Sequence, residues 1–393
     1  MNEWRTLLAA SRFRAFWLAL LCDNLGSWCV IAAMPILVAD RFGAGLVLVA
    51  SLALRILPKL VLAPVAAGLI RRVGPARLAS TAMLLMAGLT AALPWCRDLA
   101  LLEVLIAAIG ALDLFIIPGL LTLRTPVTPP GLEMAGNTLC SVADRAAKVA
   151  GPALGGLAVL AGFDVAFTGF ALLIAASAVP VARLSTIIPV EADARRGNLW
   201  SFLAIIRGDR EVLGLLVAGV TYMVLLGGLR PFLFWANSDW YGASNTAWTW
   251  LLAAQGAGAL VGALVSVLVV PGLLRRMSAY RLSLLTGLAE GAAHLLLAAT
   301  SSVQAIAILA LAGIPEIIST AAWFTAIQAR LSAAQQGSFY TVSAPLWDLA
   351  FALGIASAGL HAQGVLSLSV YWALVSLIAT LPLLPLLGWG RER

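Results

Sequence analysis

Residues 144 to 156 read Asp-Arg-Ala-Ala-Lys-Val-Ala-Gly-Pro-Ala-Leu-Gly-Gly, DRAAKVAGPALGG, in the middle of a long apolar run. Asp144, Arg145 and Lys148 are charges that a membrane helix excludes unless they are paired or hydrated. Gly151, Pro152, Gly155 and Gly156 weaken a helix in water, yet let helix backbones approach closely in a bilayer. One segment carrying both clusters reads as a transmembrane helix with a packing face and a polar face.

The surrounding chain supports a membrane reading. Of its 393 residues, 62% are hydrophobic and 11% charged, and the mean hydropathy is +0.98. So few polar side chains cannot cover a soluble surface, where about 25% of residues are charged. The net charge of +7 sits mostly on arginines in short turns, a pattern of cytoplasmic loops that points away from nucleic acid. Cys22, Cys29, Cys96 and Cys140 are scattered and only His294 and His361 are present, so neither a disulfide framework nor a resident metal or cofactor is expected.

About 20 apolar residues span a bilayer. Breaking the chain at charged and Gly/Pro turns gives twelve expected spans, at 13–38, 45–70, 78–95, 100–123, 134–161, 165–183, 211–236, 247–270, 281–300, 303–325, 338–361 and 366–388. With the N-terminus inside, eighteen arginines fall on cytoplasmic segments and span ends, whereas the external loops hold only Arg41 and Arg97. This bias sets an N-in, C-in topology. The chain is expected to form an N-terminal six-helix bundle (1–183), a cytoplasmic linker (184–210) and a C-terminal six-helix bundle (211–393).

The halves echo one another. LIRRVGPARL (69–78) after the second span matches LLRRMSAYRL (273–282) after the eighth, and PALGG (152–156) in span five matches FALGI (351–355) in span eleven. Such a parallel repeat of six helices is one arrangement of membrane transporters.

On these features the chain resembles the major facilitator superfamily over essentially its whole length. Gly68-Leu-Ile-Arg71-Arg72-Val-Gly74 occupies the place of that family's G-x-L-a-D-R-x-G loop, with Arg71 where the family has aspartate. GPALGG resembles the core of the motif of its proton-coupled exporters. Asn137 with Lys148 before Gly151-Pro152 resembles a pattern of its siderophore-export and macrolide-efflux branches. The resemblance implies two six-helix bundles in pseudo-twofold arrangement, a monomer, and a rocker-switch exporter driven by protons. It further implies that spans three, six, nine and twelve are outer scaffold while the others line a cavity.

Several charges fall about 13–18 Å in from the cytoplasmic ends at 1.5 Å per residue, near the midplane. They are Asp23, Lys59, Asp113, Asp144, Glu290 and Asp348, with Glu316 similar. Arg55 and Lys59 are four residues apart, as are Asp144 and Lys148, which on a continuous helix puts each pair on one face. Asp23, Asp113, Glu316 and Asp348 are the candidate proton-coupling groups. Arg55, Lys59, Asp144, Arg145, Lys148 and Arg230 are the candidate cavity groups. Each also has a purely structural reading. Asp144 with Lys148 and Asp23 with Lys59 make structural pairs, and Asp113 takes Arg55 or Arg145 as its partner. Glu290 and His294, on the ninth span, read as a local pair. Tyr222, Trp235, Trp240, Trp248 and Trp250 read mainly as interfacial aromatics.

The expected function is export of a small amphipathic molecule, such as a drug, secondary metabolite or siderophore, by proton antiport. Proton-coupled import of a metabolite and metal-ion carriage are the alternatives. No nucleophile–His–acid set, HExxH or P-loop is present, so an enzyme is not expected. The Ala, Gly and Arg usage places the protein in a bacterial inner membrane, with substrate, protons and lipid as its partners.

Overall fold

The computed structural model describes residues 2–184, 199–300 and 302–390. Most of the expected linker, 185–198, therefore lies outside the described residues. All regular structure among them is helical, in two compact units, Met1–Asp193 and Ala194–Arg393.

The N-terminal unit contains α1 (Asn2–Ala9), α2 (Ser11–Phe42), α3 (Leu46–Leu54), α4 (Leu57–Val73), α5 (Pro75–Ala92), α6 (Leu99–Val127), α7 (Glu133–Val159) and α8 (Phe163–Leu184). The C-terminal unit contains α9 (Leu199–Gly208), α10 (Arg210–Asp239), α11 (Trp248–Leu274), α12 (Ala279–Leu296), α13 (Ser302–Arg330), α14 (Ala333–Ser357), α15 (Gly359–Ala362), α16 (Leu368–Thr380) and α17 (Leu383–Leu386).

Nine helices among the described residues are long and apolar enough to cross a membrane. The other three expected spans differ for visible reasons. Span two is split into α3 and α4. Charges lower the apolarity of α7, and Arg281, Glu290 and His294 that of α12. Large apolar side chains stand exposed along the helices, among them Leu172 at 66% and Leu268 at 82%. A soluble fold would bury them; lipid accepts them without cost.

The break in span two follows from Leu57-Pro58. Pro58 has no N–H for the carbonyl of Leu54, and its ring crowds that carbonyl. Arg55 and Ile56 instead form a tight turn, with Ile56 N–H donating to Ala53 O at 2.9 Å. Helix α6 presses into the break at Gly110, where an added Cβ would lie 1.9 Å from Arg55 O. Arg71 and Arg72, expected in a loop, lie at the end of helix α4; the chain turns at Gly74, whose φ of +93° suits glycine, and Pro75 opens α5. Arg72 is exposed, while the side-chain surroundings of Gly68 and Arg71 lie outside the described residues.

The repeat is present in the packing. In the first unit α2 packs on α7 and α8, α5 on α6 and α8, and α4 on α6. In the second, α10 packs on α14 and α16, α12 on α13 and α16, and α11 on α13. These are the same five pairings. Their tight points also correspond: a Cβ on Gly155 would lie 2.8 Å from Cys29 O of α2, and one on Gly354 2.2 Å from Val224 O of α10.

This packing accounts for DRAAKVAGPALGG. Cys140, Ala143, Ala147, Gly151 and Gly155, three or four residues apart, are buried along one face of α7. Gly151 meets Trp28 and Gly155 meets Cys29, so α2 is their partner. Asp144 is exposed and Arg145 and Lys148 half-buried, off that face.

Candidate functional site

In the N-terminal unit, the charged residues of α2, α4 and α6 converge. Lys59 Nζ lies 2.9 Å from Asp113 Oδ2, joining α4 to α6. This corrects two expected pairings, since Lys59 takes Asp113 rather than Asp23, and Asp113 needs neither Arg55 nor Arg145. Asp23 is 5% exposed and close enough to Asp113 to feel its charge. Its Oδ1 has no hydrogen-bond partner among the described residues, nor has Nη1 of buried Arg55. Because the chain turns at Arg55, Arg55 and Lys59 do not share one helix face as a continuous span would require. Among the described residues Asp144 makes no ion pair, so the expected Asp144–Lys148 pair is not formed.

In the C-terminal unit, a cavity of about 130 Å³ opens among α10, α12, α13 and α14. Both Glu290 of α12 and Glu316 of α13 line it, with Ser319, Thr320, Trp323 and Trp347. The two carboxylate residues are 2% and 4% exposed. Gln255 Nε2 of α11 donates to Glu316 Oε2 at 3.3 Å. A smaller hollow of about 40 Å³ behind the cavity shares Tyr222, Ser283, Glu290 and Ser319 with it.

Aromatic rings form one wall. Trp323 is fixed by its indole N–H donating to Leu215 O at 2.8 Å, and its ring meets Trp347 edge-on with centroids 5.5 Å apart. The N–H of Trp347 has no acceptor among the described residues. It points at Gly219, where a Cβ would lie 2.9 Å away. The face of an indole attracts cations, so this wall and the carboxylates have the same electrostatic preference.

Of the two cavity carboxylates, sequence reasoning named Glu316 as a proton-coupling candidate, whereas Glu290 was read as a local partner of His294 on a scaffold helix. The observed bond is between His294 Nδ1 and the backbone carbonyl of Glu290 at 2.9 Å, and Glu290 also lines the cavity. Tyr222 was read as an interfacial aromatic and also lines the cavity. Trp235 and Trp248, read likewise, are buried; Trp248 packs edge-on against Phe234 and Trp235 against His361.

The remaining candidates lie elsewhere. Asp348 is half-buried on α14, one turn before Phe351, over whose ring the Arg230 guanidinium stands at 5.0 Å. The C-terminal unit thus brings Arg230, towards the far end of α10, to the α10–α14 contact near Asp348. At the start of α10, Arg330 at the end of α13 bridges Asp209 Oδ2 at 2.7 Å and Glu211 Oε2 at 2.5 Å. Asp209 also caps α10 through the amides of Glu211 and Val212. Partial burial alone raises the Asp209 pKa, but the Arg330 hydrogen bond and charge and these two amides outweigh it and hold the carboxyl below its ordinary value.

The chain is similar to known transporters in both sequence and fold. Residues 16–355 match the family model described as Major Facilitator Superfamily. No curated protein sequence is significantly similar to the chain. Among solved structures, a peptide transporter POT in complex with sulfate superposes with a TM-score of 0.72 at 14% identity, covering 95% of this chain and 93% of that one. The nucleoside transporter NupG gives 0.70 at 11% identity, covering 97% and 99%. The human organic anion transporter MFSD10 gives 0.67 at 16% identity, covering 95% and 98%. At these identities the likeness is one of fold, and their different cargoes leave the cargo of this chain open. The match over most of the chain and the helical architecture together establish that this protein belongs to the major facilitator superfamily of secondary transporters.

Proposed function

We propose that the protein exports a small amphipathic molecule in exchange for protons. The observation that carries this reading is the cavity holding Glu290 and Glu316 against an aromatic wall. An ionised carboxylate at membrane depth costs several kcal/mol unless it is compensated. A proton or a bound cargo group supplies that compensation, and exchange between the two couples their movements. Glu316 is the leading proton carrier. Asp348 is a second candidate in the same unit, and Asp23 and Asp113 are candidates in the other. Arg55, Lys59, Arg145, Lys148 and Arg230 balance these acids and help hold polar parts of the cargo. Alternating access of two six-helix bundles, a monomeric state and residence in a bacterial inner membrane complete the reading. GPALGG, with its glycines seated on α2, supports export through its resemblance to the exporter motif.

The test uses purified protein in liposomes with a pH-sensitive dye inside. A proton gradient is imposed while dyes, antibiotics and siderophores are added singly. Compound-dependent proton flux that is lost in Glu316→Gln is expected. Transport of a compound with no accompanying proton movement overturns the coupling.

A further inference from the structure

Two buried polar atoms where α12 meets α16 have no hydrogen-bond partner among the described residues. They are Nε2 of His294 on α12 and Oγ of Ser376 on α16, and both residues are fully buried. The two helices pack against each other, and their contacts fix the level of each residue. Trp372 Nε1 donates to His294 O at 2.7 Å, and Gly291 meets Thr380. Ser376 is four residues from both Trp372 and Thr380, so it shares their face of α16. It therefore falls opposite the turn of α12 that runs from Gly291 to His294. Buried polar atoms are nearly always satisfied, so two orphans on facing stripes call for a bound group or an exchanging proton.

The histidine is set to accept a proton. Its Nδ1 lies 2.9 Å from the carbonyl of Glu290, which can only accept, so in the neutral ring Nδ1 carries the hydrogen and Nε2 a lone pair. Gly287, Glu290, Gly291 and His294 have the spacing of one helix face. The first three line the hollow of about 40 Å³ that adjoins the cavity, together with the hydroxyl residues Thr221, Tyr222, Ser283 and Ser319. A water needs about 10–15 Å³ and at least two polar partners, so the hollow can hold one. Glu316 of α13 is close enough to His294 for its charge to be felt there. The other titratable side chains on helices packed against α12 are engaged elsewhere. Tyr371 of α16 donates to Gly228 O, and Arg230 of α10 stands over Phe351. Arg330 and Glu211 pair near Tyr280 at the opposite end of α12, while Arg210 and Asp239 are exposed at the ends of α10.

We propose that His294 is a proton-binding group that exchanges its proton with Glu316 by way of the hydroxyl-lined hollow beside Glu290. This deepens the exporter reading and rests on it for the use made of the proton. In the step, the carboxyl O–H bond of Glu316 breaks and the Nε2 lone pair of His294 forms the new N–H bond, with water in the hollow passing the proton along. A neutral pair becomes a carboxylate and an imidazolium; total charge is conserved, and nothing is oxidised or reduced. A buried imidazolium by itself is costly, and the carboxylate left on Glu316 offsets that cost. The Nδ1–H bond to the Glu290 carbonyl is kept throughout, so the ring need not turn. On the facing stripe, the Ser376 hydroxyl supplies an acceptor for the new Nε2–H.

Nuclear magnetic resonance of the purified full chain, isotopically labelled in its histidine rings, tests this. His294 and His361 are the two histidines, so the signal that persists in His361→Asn is that of His294. The neutral ring is expected to carry its hydrogen on Nδ1 and to become an imidazolium as the pH falls from about 9 to about 4. In Glu316→Gln the imidazolium loses its counter-charge, and His294 is expected to hold its proton at least tenfold more weakly. A ring that stays neutral across that range overturns the proposal, as does a neutral ring with its hydrogen on Nε2; neither result depends on the folding of a Glu316 variant. Proton affinity in folded Glu316→Gln within about twofold of the parent also overturns it. In the liposome assay, His294→Gln is expected to slow compound-dependent proton flux at least tenfold. Undiminished flux in that variant overturns the exchange with His294 and leaves the exporter reading standing. Titration of His294 coupled to Glu316, with no compound-dependent flux in the unaltered protein, supports the inference and overturns the exporter reading.

Discussion

Replacing Lys59 by Met removes the ammonium from the Lys59–Asp113 pair while keeping an apolar stem of similar length. At 2.9 Å and an effective dielectric of about 20, the attraction is roughly 6 kcal/mol. Desolvation of the two ions opposes much of that, so the pair itself adds little net stability. Removing one partner is different. The Asp113 side chain is only 14% exposed, and Asp23 is close enough to repel it. Lys59→Met is therefore expected to destabilise the protein by about 3–5 kcal/mol. Asp113→Leu costs less, about 1–3 kcal/mol, because a freed lysine extends its stem toward water. The double variant exchanges the ion pair for apolar contact and returns to within about 1 kcal/mol of the parent. With roughly 2–4 °C of melting temperature per kcal/mol, Lys59→Met melts on the order of 10 °C lower and the double variant within a few degrees of the parent. The assay follows the monodisperse fraction of purified protein after a series of heat steps. If the double variant loses as much as both single variants together, the ion-pair reasoning is refuted.

Helix contact at the two equivalent glycines gives a second outcome. In Gly354→Ala the Cβ meets a backbone oxygen at 2.2 Å, in Gly155→Ala at 2.8 Å. Overpacking of about 1–3 kcal/mol, less about 1 kcal/mol of helix propensity, should make Gly354→Ala clearly the less stable in the same heating assay. Arg330→Gln should cost about 3–5 kcal/mol, since besides its partly exposed pair with Asp209 it removes the guanidinium from Glu211, whose side chain is only 6% exposed. Because Asp209 titrates below its ordinary value, its contribution is complete above about pH 4 and is lost as the pH falls through the lowered value. Acid unfolding curves should show that loss in the parent and less of it in Arg330→Gln.

The membrane class, the repeat and the packing role of GPALGG were legible in the sequence because each depends on one coordinate along the chain. Too few polar residues exist to cover a soluble surface, and small residues three or four apart define one helix face. The glycines named the face of α7; only the fold named α2 as its partner. Charge pairing was poorly legible for the same reason. Spacing reports neighbours on one helix, and it gave Arg55 with Lys59 and Asp144 with Lys148. The break before Pro58 separated the first pair, and Lys59 found Asp113 on another helix. Depth along a span set Glu290 and Glu316 at a similar level, but depth carries no rotation about the helix axis. That rotation decides that Glu290, on a helix expected to be scaffold, faces the same cavity as Glu316. The sequence alone determined the helical membrane class and the repeat of the two halves, since hydrophobicity and small-residue spacing act locally. The tertiary structure alone decided which charges meet and where a cavity is left, because those depend on the packing angle and facing of helices far apart in the chain.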